Sequence, residues 1–224
     1  MAAIRFDAVS KRYEGGRDAL TDVTFELATG ELAFLTGRSG AGKSTVLKLL
    51  GLIERPTRGA VIVDGRNVSR LSARDIPAYR QQVGMVFQDN KLLPDRTAWE
   101  NVALPLIITG LGEREIGRRV RAALDQVGLL DRERQRPPAL SAGEQQRLGI
   151  ARAIVARPRL LIADEPTGNL EPELSLEIMT LFRRLNEVGV TMLIASHDLP
   201  LVERLRARRI AVADCRHVPV PEAA

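Results

Sequence analysis

Eight residues, Gly37, Arg38, Ser39, Gly40, Ala41, Gly42, Lys43 and Ser44, follow the spacing G-x-x-x-x-G-K-[ST], with Thr45 directly after them. They lie between the apolar run Glu31 to Thr36 and the apolar residues Val46 to Leu50, so a strand is expected to run into a glycine-rich loop that opens a helix. Glycine permits a tight curl in which successive N–H groups point inward at the positive end of the helix dipole, and that makes a cradle for phosphate. Lys43 is then placed to reach the β- and γ-phosphates of a nucleotide, and the Ser44 hydroxyl to ligate Mg²⁺. A flexible turn ahead of an ordinary helix is the plainer alternative, and the joint presence of loop, lysine, hydroxyl and strand-helix context argues against it.

A second group of polar residues follows apolar runs further along. Arg159 to Ala163 leads into Asp164 and Glu165, and Thr191 to Ala195 leads into Ser196, His197 and Asp198. Near-continuous apolar runs of this length are expected of parallel strands covered on both faces, whose C-terminal ends are where open α/β sheets bind ligands. Asp164 has the charge and position to anchor a metal ion directly or through water. Glu165 is placed to orient or deprotonate an attacking water. His197 is a candidate γ-phosphate contact, although a lone histidine at a strand end is more often a structural residue. Val83 to Phe87 similarly ends in Gln88, and Tyr13, on a connector ahead of the phosphate loop, either stacks on an adenine ring or simply packs. Ser141 followed by Glu144 has the layout of a capping box at a helix start.

The elements that must position these residues can be read from periodicity. Ile4 to Val9 alternates as an edge strand, and Leu20 to Leu27 places Val23, Phe25 and Leu27 on one face. Ala60 to Val63 ends in the hairpin signal Asp64-Gly65. These strands suggest a small antiparallel layer. Helical spacing dominates Ala98 to Ile108, Glu113 to Val127 and Glu144 to Ala156, and a further helix is expected from Pro172 to about Asn186. A single domain over 1–224 results, with residues 1–88 and 157–224 forming the core and its β layer and 89–156 an inserted helical subdomain. The segment Trp99 to Leu111 is a candidate docking surface in which Leu104, Leu106 and Ile107 serve either as apolar anchors or as core.

Composition narrows the function classes. The chain has 224 residues and 45% apolar content, ordinary for a globular core, and no apolar run long enough to span a bilayer. Met1 to Arg5 lacks the layout of a signal peptide, which predicts a cytosolic protein. The single cysteine, Cys215, and two histidines, His197 and His217, argue against a disulfide framework or a structural zinc site. The net charge of +5 invites a nucleic-acid partner, but the basic residues are scattered among acids and aromatics are only 4%, too few for a base-stacking platform. No nucleic-acid role is expected, and only a modest preference for anionic membrane surfaces remains.

Taken in order, Tyr13, the loop Gly37 to Thr45, Gln88, Leu140 to Arg147 (LSAGEQQR), Leu160 to Leu170 (LLIADEPTGNL) and His197 resemble the nucleotide-binding subunit of ABC ATPases over almost the whole chain. The resemblance implies an α/β P-loop NTPase fold with a RecA-like core, an antiparallel β layer and an inserted helical subdomain. It implies ATP and Mg²⁺ as ligands, ATP hydrolysis as the activity, Tyr13 as the adenine-stacking residue, Gln88 as a contact to Mg²⁺ and the partner-coupling surface, and His197 as a switch. Ser141 to Gln145 would be a signature motif in which Ser141 and Gly143 meet the γ-phosphate across a head-to-tail, ATP-bound homodimer. Within the family, Asp89 to Thr97, Glu100 to Leu106 and Val127 to Leu130 look most like the cell-division branch. That implies a subunit peripheral on the inner face of the bacterial cell membrane, an FtsX-like integral membrane partner, contacts with other division proteins, and control of septal peptidoglycan hydrolases. The lipoprotein-releasing and macrolide-export branches share much of this pattern, so a solute-transport motor is an alternative, as is a nucleotide-gated switch with negligible turnover. Two positions depart from the family pattern: Ala142, where a glycine is usual, and Glu171, where aspartate is usual. Ala142 is harmless if its backbone is at negative φ; Glu171 is a poorer helix cap than aspartate.

Overall fold

Apolar residues interspersed with polar ones build the first two strands, β1 (Ala2–Arg12), which buries Ile4, Phe6 and Val9, and β2 (Asp18–Ala28), which buries every second side chain from Val23 to Leu27. The computed structural model describes residues 2–16, 18–168, 170–213 and 216–218; Cys215, Asn169 and the side chain of His217 lie outside what is described. The chain continues through β3 (Leu32–Thr36), α1 (Lys43–Leu50), the hairpin β4 (Arg58–Val63) and β5 (Arg66–Asn67), α2 (Ile76–Arg80) and β6 (Val83–Val86). Next come α3 (Ala98–Ile108), α4 (Glu113–Gln126) and α5 (Ala142–Ile154). It closes with β7 (Leu160–Asp164), α6 (Pro172–Glu187), β8 (Thr191–Ser196), α7 (Leu199–Arg204), β9 (Arg208–Ala213) and β10 (Arg216–Val218).

Two sheets result. The antiparallel one has the order β2-β1-β4-β5, and the larger one β10-β9-β3-β8-β7-β6, parallel except for its last pair, β9 with β10. β1 pairs with both β2 and β4, so it is an interior strand, contrary to the edge position expected for Ile4 to Val9. Alternation reports that one face is covered; it carries no information about lateral neighbours. The Asp64-Gly65 turn has φ of 47° and 76°, the left-handed pair that a two-residue hairpin needs. Val23, Phe25 and Leu27 are all buried on one face, with the Phe25 ring stacked on Phe6 at 4.6 Å.

One apolar cluster fills the space between the antiparallel layer, α1 and one face of the parallel sheet, including Phe6, Val46, Leu49 and Leu193. The other lies on the opposite face and joins Phe34, Ile194 and Met192 to α3, α4, α5 and Phe182 of α6. Because both faces are covered, the central strands read as continuous apolar runs. α3 starts from a capping box made by Thr97 and Glu100. Its buried Asn101 accepts the Leu93 N–H at 2.8 Å and donates to the Leu93 carbonyl at 3.0 Å, fixing the loop before the helix. Leu106 is in the core and Leu104 half-buried, so of the three proposed anchors only Ile107 is exposed, beside the still more exposed Ile108. Among the described residues no helix is long and apolar enough to cross a membrane.

Candidate active site

β3, β7 and β8 lie side by side with level ends: Thr36 is opposite Ser196, and Asp164 opposite Ala195. The next residues of each strand are therefore delivered to one edge. From β3 the chain turns through Gly37 to Gly42 into α1. Close approach explains two of these glycines. A Cβ on Gly37 (φ 153°) would stand 2.2 Å from the Val212 carbonyl of β9, and one on Gly42 (φ 105°) 2.6 Å from the Ala19 carbonyl of β2. Arg38, Ser39 and Gly40 form the exposed crown of the loop, while Ala41 and Thr45 are buried beneath it.

Lys43 is the first residue of α1, and its side chain is only 5% exposed. Its ammonium curls back over the loop, donating to the carbonyls of Gly37 at 2.9 Å and Arg38 at 3.3 Å. It also lies 3.6 Å from Oε1 of Glu165, and Nδ1 of His197 stands 3.1 Å from that same oxygen. One carboxylate oxygen thus gathers the lysine of the loop and the histidine that follows β8. Glu165 holds φ at 45°, an uncommon conformation for a non-glycine residue, with its N–H bonded to the Ala195 carbonyl at 3.0 Å. That backbone turn sends Glu165 away from the direction of Asp164.

Asp164 receives a hydrogen bond from the Ser44 hydroxyl at 3.2 Å. Burial raises its pKa above the ordinary carboxylate value; the Ser44 bond opposes this, and the neighbouring charge of Glu165 adds to it. A hydroxyl and an under-compensated carboxylate oxygen side by side suit a hard divalent cation whose other ligands are phosphate oxygens and water. The sign of the resulting pH effect follows directly. A raised folded-state pKa means that ionising Asp164 disfavours the nucleotide-free fold, so its contribution to stability is lost as pH rises from the unfolded carboxylate value through the folded one. Asp164→Asn is therefore expected to raise the melting temperature of the nucleotide-free protein at neutral pH and to abolish the Mg²⁺ dependence of ATP binding. Thermal melts with and without Mg-ATP check both; an asparagine variant still stabilised by Mg²⁺ with ATP to the parental extent contradicts the assignment.

Not every expected residue converges. Gln88 lies in the exposed turn after β6 and, among the described residues, makes no hydrogen bond to Ser44 or Asp164. The Tyr13 hydroxyl is 3.4 Å from that of Thr45, and Lys11 lies over its ring, 5.0 Å from the centroid. Ser141, exposed at the start of α5, closes a capping box with Glu144: its hydroxyl accepts the Glu144 N–H at 3.3 Å and its N–H donates to the Glu144 carboxylate at 2.8 Å. Ala142 has helical backbone as the first residue of α5 and is not among the positive-φ residues, so its Cβ introduces no strain. Gly143 is buried against α6, where a Cβ would meet Leu174 at 2.1 Å. Glu171 does stand at the N-cap of α6 without a side-chain capping bond. Restoring a shorter carboxylate with Glu171→Asp is expected to stabilise the fold by about 0.5–1 kcal/mol, a rise of about 1–4 °C on a thermal melt. An unchanged or lower midpoint contradicts it.

A phosphate loop, a buried lysine, paired carboxylates at the end of another strand of the same sheet and a second helix N-terminus among the packed helices define an ATP-hydrolysing cassette. The chain matches the ABC transporter family over residues 20–168 and belongs to that family. It is 56% identical over 211 residues to the cell division ATP-binding protein FtsE of Escherichia coli strain K12, which covers 94% of this chain and 95% of that one. It is 46% identical over 218 residues to FtsE of Streptococcus pneumoniae strain D39, 97% of this chain and 95% of the other. Its fold is similar to the ATP-binding cassette MJ0796, a dimer in a post-hydrolysis state bound to ADP and Pi, with a TM-score of 0.89 and 33% identity over 96% of this chain and 97% of that one.

Proposed function

We propose that this chain is the ATP-hydrolysing cytosolic subunit of an FtsE–FtsX-like complex, docked on the inner face of the bacterial membrane and acting in cell division by controlling septal peptidoglycan hydrolysis. The observation that carries the reading is the similarity, 56% and 46% identical over nearly the whole chain, to cell division proteins named FtsE, supported by the meeting of Lys43, Glu165 and His197 at one sheet edge. We assign the core to 1–88 and 157–224 and the partner-facing helical subdomain to 89–156, where Ile107 and Ile108 are exposed.

In this reading Lys43 leaves the Gly37 and Arg38 carbonyls for the β- and γ-phosphates, while the N–H groups of residues 37–45 cradle the phosphate chain. Tyr13 stacks on the adenine. Ser44 and Asp164, with Gln88 drawn inward, would hold Mg²⁺, which would supply positive charge to neutralise the phosphate oxygens. Glu165 takes a proton from the attacking water as its oxygen bonds to the γ-phosphorus, and the bond to the leaving ADP oxygen breaks. His197 gives up Glu165 and turns its imidazole to the γ-phosphate. Ser141 and Gly143 complete the site of a second protomer packed head to tail, so two ATP molecules join the dimer and their hydrolysis releases it.

Affinity purification of the tagged chain from detergent-solubilised membranes of its own cells tests the partner. The expected companion is a four-span protein with a large extracytoplasmic domain. Recovery instead of a permease with a solute cavity overturns the cell-division reading while leaving the ATPase intact.

A further inference from the structure

Just beyond Gln88 two consecutive residues stand in the left-handed region, Asn90 at φ 54° and Lys91 at φ 47°. L-residues rarely hold that conformation twice in succession; the loop supports it from within by the Asn90 N–H to Phe87 carbonyl bond at 3.1 Å and the Lys91 N–H to Asp89 carbonyl bond at 2.6 Å. From outside the loop it is held by Arg152 of α5. Its guanidinium donates to the Lys91 carbonyl at 2.7 Å and, through the other nitrogen, to the Asn90 carbonyl. A planar fork on two adjacent carbonyls fixes both position and orientation, which a single ammonium cannot do. Gly149, one turn earlier on α5, packs beneath the loop: a Cβ there would be in ordinary contact, 3.4 Å from Oδ1 of Asn90, an oxygen that is buried without a hydrogen-bond partner. The surroundings are desolvated enough that burial lowers the pKa of Arg152 below the ordinary arginine value.

α5 is the same helix that starts from Ser141 as its N-cap and carries Gly143 in its first turn. Arg152 stands about 16 Å along the axis from Ser141, by the rise of an α-helix. Helices are stiff over such lengths. We infer that Arg152 is a positioning residue that clamps the loop 88–91 to α5, so that any displacement of Gln88 is passed to Ser141 at the far end of the helix. This rests on the reading of Gln88 and Ser141 as contacts to nucleotide in two different protomers, and names the part that couples them. Once the clamp is removed the left-handed pair loses the donors on its two carbonyls, and Gln88 then moves independently of α5.

The test compares Arg152→Lys, which keeps the charge and loses the fork, with Arg152→Met, which keeps only the stem. Affinity for a fluorescent ATP analogue and KM are expected to stay within about 3-fold of the parent while kcat falls by about 10-fold or more. Amide exchange of residues 88–92 in the nucleotide-free protein is expected to quicken by about 10-fold or more, with α1 unchanged. In a Glu165→Gln background, ATP-driven dimerisation is expected to need about 10-fold more protein. If the methionine variant does not fold, the lysine variant carries the test. Faster loop exchange with kcat within about 3-fold of the parent overturns the inference, as does a loss of kcat matched by an equal loss of ATP affinity. If the chain with Arg152 intact never dimerises with ATP, it is the two-protomer reading that fails; loop exchange and the KM-against-kcat split then still decide whether Arg152 positions Gln88.

Discussion

A Glu165→Gln chain is expected to bind ATP within about 3-fold of the parental affinity while its turnover falls by about 100-fold or more, the range associated with loss of a general base. The amide has the shape of the carboxylate and can still accept a hydrogen bond from Lys43 or His197, which stand 3.6 Å and 3.1 Å from Oε1. What it lacks is the basicity to take a proton from water. The phosphate loop is untouched, since Ser44 bonds to Asp164 and not to Glu165. Removing a negative charge next to the γ-phosphate position also reduces repulsion, so the ATP-bound dimer should persist. Sedimentation with Mg-ATP is expected to show a dimer that the nucleotide-free protein does not form, and single-turnover hydrolysis should yield almost no product. Turnover at half the parental rate would remove Glu165 from the role given to it.

Gly42→Ala is the substitution with the largest expected structural effect. The residue holds φ at 105°, and an added Cβ would stand 2.6 Å from a backbone carbonyl, Ala19, and 2.7 Å from Leu20 Cδ2. A side chain could yield; the β2 backbone cannot without displacing the antiparallel layer from the phosphate loop. Strain and clash together are expected to remove about 3 kcal/mol or more of stability, a fall of about 6–12 °C in midpoint for a chain of this size. ATP binding should be lost with it, because Gly42 is the N-cap of α1 and its displacement misaligns the N–H groups that open the helix. Gly16→Ala supplies the control: φ there is 84°, but nothing lies within 4 Å of the place an added Cβ would take, so only the conformational cost is felt. Equal effects at the two sites would show that the close approach to β2 does not matter.

Much of this molecule is legible in one dimension. The loop motif lies at a strand-to-helix junction because the apolar runs on either side change period there. Continuous apolar runs at Leu160 to Asp164 and Thr191 to Ser196 identify buried parallel strands, and their polar ends mark the edge where chemistry gathers. The capping box at Ser141 is likewise a local code, since its donors and acceptors are three residues apart. By contrast, the interior place of β1 could not be read, because pairing partners are chosen by other strands. Leu106 and Ile107 are adjacent and equally apolar, and only the packing of α3 on its neighbours sends one into the core and leaves the other exposed.

The sequence by itself determined the family and the place of the glycine-rich loop, and it singled out Asp164, Glu165 and His197 as candidates, because these depend on residue types held at short spacing. Tertiary structure alone decided which of them touch. That Oε1 of Glu165 serves both Lys43 and His197, residues more than a hundred positions apart in the case of the lysine, follows from β8 lying between β3 and β7 in the sheet. That Ala142 is unstrained follows from its helical backbone, and that Arg152 grips the loop after Gln88 follows from α5 packing beside β6. A spacing of about 60 residues leaves no periodic trace, since the chain between two such groups is free to take any path that the core permits.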